Sequence, residues 1–328
     1  MTTTNKFKQR TYAEVNPLTD EDAWIIDGYV SSFHTMFYGE PKAGKSSLVS
    51  AVIASVVSGQ PFLGVSPNRK MRVAVFGSDD GAAEEYRERI GSAFAEDDLE
   101  SPPIGFYDLP VMSASDWPEA VAQVIEDGYD FVVIDNVEGC IDGDPNQSQP
   151  WQRLYAGTKG FIAKGIPVLL VHHASDKSFQ GSKSSKPGGH YKATASVRHR
   201  VHIRKIGKIG KMELDLVGNR GQERTVKLMR TGLVEFDVTG EETAEEMQAE
   251  SEKTKRTRDK AVMDTNLEKS KFVVAHCQGM SDRDAASSLA AKFGGTEEGQ
   301  KTFLRHMKGA LLDKQGRGSR TSWELLTS

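Results

Sequence analysis

The chain has 328 residues, of which 38% are hydrophobic and 27% charged, and carries a formal net charge of −4. This length suits one large domain with a small companion. No apolar run approaches the roughly 20 residues of a membrane span, and the opening MTTTNKFKQR has no hydrophobic signal core, so a cytoplasmic protein that is neither secreted nor membrane-bound is expected. Two distant cysteines, Cys140 and Cys277, suggest neither a disulfide framework nor a metal site. The charge is uneven: Lys177 to Arg230 holds fourteen Lys/Arg against three Asp/Glu, a local anion-binding surface within an acidic whole.

In chain order, an N-terminal arm over 1–20 precedes a strand at Phe33–Tyr38, a glycine loop and an apolar helix over Ser47–Ser58. A short buried strand follows at Arg72–Gly77, then a helix over Glu84–Ala95 and a stretch, Leu99–Pro110, broken by Pro102-Pro103. Trp117–Glu126 has helical periodicity, Phe131–Ile134 reads as a buried strand, Trp151–Lys164 as a helix and Pro167–Val171 as another buried strand. Alternating helices and doubly buried strands predict an α/β fold with a mostly parallel sheet flanked by helices.

Ser175–Tyr191 is a Gly/Ser/Lys-rich loop without periodicity. His199–Lys205, Lys211–Val217 and Arg224–Met229 read as later strands at an antiparallel sheet edge, which places the main domain over 21–240. Residues 241–267 form a charged helical linker. Residues 268–328 form a small module with helices at Lys271–His276, Asp282–Phe293 and Lys301–Leu312, then a basic glycine turn and a strand at Thr321–Leu325. That order predicts a winged helix-turn-helix.

The chemistry lies in Gly39-Glu40-Pro41-Lys42-Ala43-Gly44-Lys45-Ser46-Ser47. This matches the phosphate-binding pattern G-x4-G-K-S between a strand and a helix. Glycines let the backbone N–H groups curl inward, and the helix N-terminus adds a positive dipole. Lys45 is expected to meet the β- and γ-phosphates of ATP, and Ser46 to join the Mg²⁺ shell with Asp135, which ends the strand FVVID. The chain has neither the base-reading motif of GTPases nor the signature of ABC ATPases. Asn136, where many other ATPases place Glu, sends the water-polarising acid elsewhere. Asp79, leaving the strand RVAVFG, occupies that place in a RecA-class arrangement.

WIIDG at 24–28, the loop GEPKAGKSS, GQPFLG at 59–64, FVVIDN and VLLVHH at 168–173 together resemble the RepA-like AAA family. These are RecA-fold ATPases that include hexameric replicative helicases of plasmids, and the resemblance covers about residues 24–236. It implies that Asp79 stands for the catalytic Glu, one methylene short, with Glu84 or Glu85 as substitutes and helix capping as the plain alternative. It also implies that His173 senses the γ-phosphate while His172 points to the opposite face. Arg220, in the turn Gly218–Gly221, would reach a neighbouring subunit's nucleotide or be an ordinary turn arginine. Lys42 matches the family's Pro-Lys-x-Gly-Lys-Ser variant and is expected to be solvated.

Lys183, Lys186 and Lys192, with Phe179 or Tyr191 as a stacking face, are expected to track single-stranded DNA. Arg305 and Lys308 on the module's third helix, with Arg317 and Arg320 on its wing, are candidates for DNA or a loading partner. The expectation is a ring ATPase, a hexamer, moving on single-stranded DNA in plasmid or phage replication in a bacterial cell. A filament-forming recombinase or annealing protein and a nucleotide-switched DNA-binding regulator with weak ATPase are the alternatives.

Overall fold

The computed structural model describes residues 9–94, 101–174, 187–207, 210–221, 223–316 and 320–326. The chain divides into two compact units, Met1–Ala244 and Glu245–Ser328.

The first unit begins with a short helix, α1 (Asp20–Ala23), capped by the Thr19 hydroxyl, which accepts the Asp22 N–H at 3.0 Å. A hairpin of β1 (Trp24–Ile26) and β2 (Val30–Ser31) follows. The chain then alternates through β3 (His34–Gly39), α2 (Lys45–Ser58), β4 (Val73–Gly77), α3 (Ala82–Phe94), β5 (Ile104–Asp108), α4 (Asp116–Glu126) and β6 (Phe131–Asp135). Next come α5 (Val137–Cys140), α6 (Ser148–Ile162), β7 (Val168–His173) and α7 (Lys192–Ala195), then β8 (His199–Lys205), β9 (Lys211–Gly218), β10 (Arg224–Arg230) and β11 (Phe236–Thr243).

Strands β3 to β11 form one nine-stranded sheet in the order β11-β10-β9-β8-β3-β7-β6-β4-β5, with the β1-β2 hairpin separate. The strands from β8 to β5 run parallel, and β8 to β11 form an antiparallel meander at one side. The parallel strands are apolar at nearly every position because both faces are covered. Phe37, Val75, Val133 and Leu169 face one way into a core shared with α2 and α3. Their neighbours Met36, Ala74, Val132 and Leu170 face the other way, onto α4 and α6.

Four strands differ from the sequence reading. β5 begins directly after Pro102-Pro103, so the prolines precede an outer strand and remove no ladder hydrogen bond. β1 and β2 are too short to show alternation. β11 carries Glu241 and Glu242 at the far edge, where a charged strand discourages further pairing.

On the meander's second face a polar network replaces apolar packing. Asp215 accepts two hydrogen bonds from Arg204, at 2.8 and 2.9 Å, and one from Thr225 at 2.8 Å, while His202 Nδ1 lies 3.3 Å away. Burial pushes the Asp215 carboxyl upward, but its bonds from His202, Arg204 and Thr225 outweigh this and hold it well below the usual carboxylate range. Its stabilising contribution is therefore complete above the unfolded pKa of about 3.9 and fades as pH falls below it. Asp215→Ala is expected to cost about 2 kcal/mol at pH 7, less than for a fully buried pair because these groups are partly solvated. Urea midpoints at pH 7 and pH 3 check this, with the wild-type advantage shrinking at the lower pH.

The second unit contains α8 (Ala244–His276), α9 (Asp282–Phe293), α10 (Glu297–Met307) and an antiparallel pair, β12 (Leu312–Gln315) and β13 (Ser322–Leu325). Val273, Ala285, Ala286, Leu289, Leu304, Leu312 and Trp323 form its core. The Ser281 and Thr296 hydroxyls cap α9 and α10. Of the expected linker, residues 241–243 end β11, and from Ala244 on it is continuous with the helix expected at Lys271–His276 as one element, α8. The few apolar residues before Leu267 kept the two apart in the sequence, but nothing there breaks a helix.

Candidate nucleotide-binding site

The site lies along the C-terminal edge of the parallel strands. Gly39 of β3 is in register with His173 of β7, Val171 of β7 with Asp135 of β6, and Asp135 with Gly77 of β4. The phosphate loop, His173, Asp135 and the Asp79 that follows β4 therefore stand in a row, each on a neighbouring strand. Chain order is different: Gly39, Asp79, Asp135, His173.

Two backbone features shape the loop. Gly44 caps α2 with φ +93°, the left-handed region, and Lys42 at the apex takes φ +61° despite its side chain. At Gly39 the constraint is space: a Cβ would sit 2.3 Å from the Ile203 carbonyl oxygen of β8. Lys42 is exposed, whereas Lys45 is 7% exposed. The Lys45 ammonium donates to the Gly39 and Glu40 carbonyls at 3.1 and 3.0 Å and lies 3.3 Å from His173 Nδ1. Burial lowers the Lys45 pKa, against the pull of Asp135 and Glu138. Burial and then Lys45 lower that of His173, against Asp135 and Asp79. An ammonium can only donate, so His173 Nδ1 accepts and its proton belongs on Nε2.

Ser46 Oγ donates to Asp135 Oδ2 at 3.4 Å, and the Tyr86 hydroxyl donates to the same oxygen at 2.6 Å. Burial raises the Asp135 pKa, opposed by the Tyr86 hydrogen bond and by Lys45. Asp79 is tethered differently. Asn136 Nδ2 donates to its two oxygens at 3.2 and 3.4 Å, and Ser78 Oγ donates to Oδ1 at 3.2 Å. Ser78 Oγ in turn accepts the Asn136 N–H at 3.1 Å. Asn136, which stands where other ATPases place an acid, thus holds the acid of the adjacent strand.

Lys45, Ser46, Asp79, Tyr86, Asp135 and His173 line a cavity of about 410 Å³ with Lys42, Glu85, Arg89 and Arg230. Of the two substitutes for the catalytic acid, Glu85 faces this cavity and is paired with Arg89 at 2.7 Å; Glu84 lines a separate hollow beside β5. Arg230 was not foreseen. Its guanidinium is fixed by the Gly232 and Leu233 carbonyls at 2.7 and 3.0 Å, and a lone arginine ending a strand carries no sequence signal. For magnesium, the donor set is a serine hydroxyl and one carboxylate. Among the described residues no cluster of three or more His, Cys, Asp or Glu could hold a metal. A hydroxyl, one carboxylate, waters and phosphate oxygens are what Mg²⁺ takes in such sites, so the residues fit that ion.

His172 points away from this row. It is fully buried, its Nε2 lies 3.0 Å from the Gly188 carbonyl, and burial lowers its pKa to about 4, so it is neutral. The Gly188 N–H returns to the His173 carbonyl at 2.9 Å, and Ala174 bridges Pro187. The stem of the basic loop is thereby bonded to both strand-end histidines. Lys183 and Lys186, with Phe179, lie outside the described residues. Lys192 begins α7, beside Tyr191, which is 71% exposed.

Arg220 sits at the other end of the sheet from its own chain's phosphate loop. It donates to Asp20 Oδ1 and the Leu18 carbonyl, both at 2.7 Å. In the second unit, Arg305 and Arg320 are exposed, and Arg317 lies outside the described residues. Lys308 is engaged: it pairs with Asp282 at 2.6 Å and stands 5.5 Å over the Trp323 ring, where Lys314 joins it.

A family model described as an AAA domain matches residues 2–178. No curated protein matches the chain. Among solved structures it is similar to the RadB recombinase, with 14% identity and a TM-score of 0.44 over 65% of this chain and 93% of that one. It is also similar to a KaiC-like protein of the hyperthermophilic archaeon Pyrococcus horikoshii, with 12% identity and a TM-score of 0.47 over 68% and 99% of the two chains. No helix among the described residues is long and apolar enough to cross a membrane. With the matched model spanning more than half its length, the chain belongs to the AAA-domain family that this model describes, and its G-x4-G-K-S loop is that of a P-loop ATPase.

Proposed function

We propose that this ATPase is a DNA motor, a ring helicase of the RepA-like kind that moves on single-stranded DNA. The observation that carries the reading is the bonded path from Lys45 to His173 to Gly188, which links the phosphate loop to the stem of the basic loop. A Mg²⁺ ion bound between Ser46 and Asp135 would neutralise charge on the β- and γ-phosphates. Lys45 holds those phosphates, Asp79 orients the attacking water and takes its proton, and His173 presents Nε2–H to the γ-phosphate position. Lys183, Lys186 and Lys192 neutralise DNA phosphates, with Tyr191 as a stacking face. Arg220 belongs to the phosphate site of a neighbouring copy in a six-membered ring, which explains its distance from its own. The second unit, as a winged helix-turn-helix, engages DNA or a loading partner through Arg305, Arg317 and Arg320.

A forked duplex with a single-stranded tail tests the motor. Wild-type protein with ATP and Mg²⁺ is expected to release the labelled strand, and Lys45→Ala is not. Protein that binds the tail and hydrolyses ATP but leaves the fork closed removes the helicase reading. Filaments rather than rings in electron micrographs would then favour strand pairing. A regulator with weak ATPase is the second reading, favoured by the short Asp79 side chain and its tether to Asn136.

A further inference from the structure

α3 starts five residues beyond the end of β4, and its residues Ala82, Glu85, Tyr86 and Arg89 recur at three- and four-residue spacing along the cavity. Tyr86 is the unusual member of this stripe. Its ring is packed in the core shared with α2, and the residue is 2% exposed. Only the hydroxyl reaches out of that core, and it ends 2.6 Å from Asp135 Oδ2. The Ser46 hydroxyl donates to that same carboxylate oxygen at 3.4 Å. Three oxygens from three elements therefore converge: Ser46 from α2, Asp135 from β6 and Tyr86 from α3.

We infer that Tyr86 is a positioning residue for the divalent-cation site, fixing which oxygen and which lone pairs of Asp135 face the cation. This rests on the nucleotide and Mg²⁺ reading of the cavity and names a residue that this reading leaves out. A carboxylate has about four lone-pair directions, and a buried one with no donor behind it can rotate among them. A phenol donating to Oδ2 removes one direction and holds the plane of the group. The remaining directions of Asp135 and the Ser46 hydroxyl then open toward the cavity together. Tyr86 touches neither phosphate nor cation, and its influence passes wholly through Asp135 and Ser46. Outer groups of this kind typically alter metal affinity by about 10- to 100-fold when removed. The competing account is that a buried tyrosine needs an acceptor and Asp135 happens to supply one. That account predicts a change in stability and none in cation dependence.

The test is Tyr86→Phe in the full chain, which keeps the ring and removes the hydroxyl. Binding of a fluorescent ATP analogue is titrated with Mg²⁺ and also measured in chelator. The expected result is a Mg²⁺ midpoint raised about tenfold, with metal-free affinity unchanged. An unchanged midpoint overturns the inference. So does a variant that has lost metal-free binding, because the hydroxyl would then be a determinant of the fold rather than of the cation site. Wild-type protein whose binding ignores Mg²⁺ would remove the underlying cation reading, an outcome visible before the variant is measured.

Discussion

Lys45→Ala is expected to weaken ATP binding several hundredfold or more, whereas Lys42→Ala leaves the affinity within a few-fold. The two lysines are three residues apart in one loop, and their surroundings are opposite. Lys45 is buried beneath the loop, held by two main-chain carbonyls at the N-terminus of α2, and its charge acts in a poorly screened space. A charge-assisted hydrogen bond to a phosphate contributes about 1.5–3 kcal/mol, and two such contacts together make a loss of several hundredfold or more. Lys42 is exposed at the apex, where an isolated charge contributes within about 1 kcal/mol. Alanine at 42 also keeps a Cβ in the left-handed conformation, so the backbone strain of the loop is unaltered. Equilibrium binding of a labelled nucleotide to both variants decides the matter. Equal losses would show that Lys42 contacts the nucleotide.

Asp79→Asn is expected to lower turnover about a thousandfold while nucleotide affinity stays near wild type. General-base catalysis by a placed carboxylate contributes about 10²- to 10⁴-fold; an amide keeps the two hydrogen bonds that Oδ1 accepts, gives up the longer one at Oδ2, and does not accept the proton. Asn136 and Ser78 keep this side chain back toward β6, so the carboxylate reaches less far into the cavity than a glutamate would. Asp79→Glu is accordingly expected to speed turnover about tenfold, since a misplacement near 1 Å can cost a hundredfold. Single-turnover hydrolysis by the three proteins measures both effects. Should Asp79→Asn hydrolyse at the wild-type rate, the base is elsewhere, and Glu85 on the same cavity wall becomes the candidate.

The parallel half of the sheet was legible in the sequence because burial on both faces leaves uninterrupted apolar runs, as in FVVID and VLLVHH. The phosphate loop was legible because close backbone curvature demands glycine at fixed spacing. Tyr86 and Arg230 were not, because each becomes part of the site only through the packing of α3 or the end of β10 beside the loop. The same holds for the Asn136 tether, whose partner Asp79 is 57 residues away in sequence. β11 was lost to its charge, since an outer strand with solvent beside it need not look apolar. Arg220 was legible as a turn residue, but its partners in the Leu18–Asp20 segment were not.

The order of strands has a consequence for how the chain acquires its ligand. β3, which carries the phosphate loop, lies between β7 and β8, and both are made more than 120 residues later. A nascent chain that has emerged through β6 already holds Lys45, Ser46, Asp79 and Asp135, yet β3 has no neighbour on either side. Closing so long a loop is a slow, entropically opposed step. Nucleotide is therefore expected to bind after the strands flanking β3 have paired, and not to scaffold the early stages of folding. It acts afterwards by mass action, deepening the native basin by about 2.7 kcal/mol when its concentration is a hundred times its dissociation constant. A ligand seated on this row of strand ends would hold the finished sheet without having helped to build it.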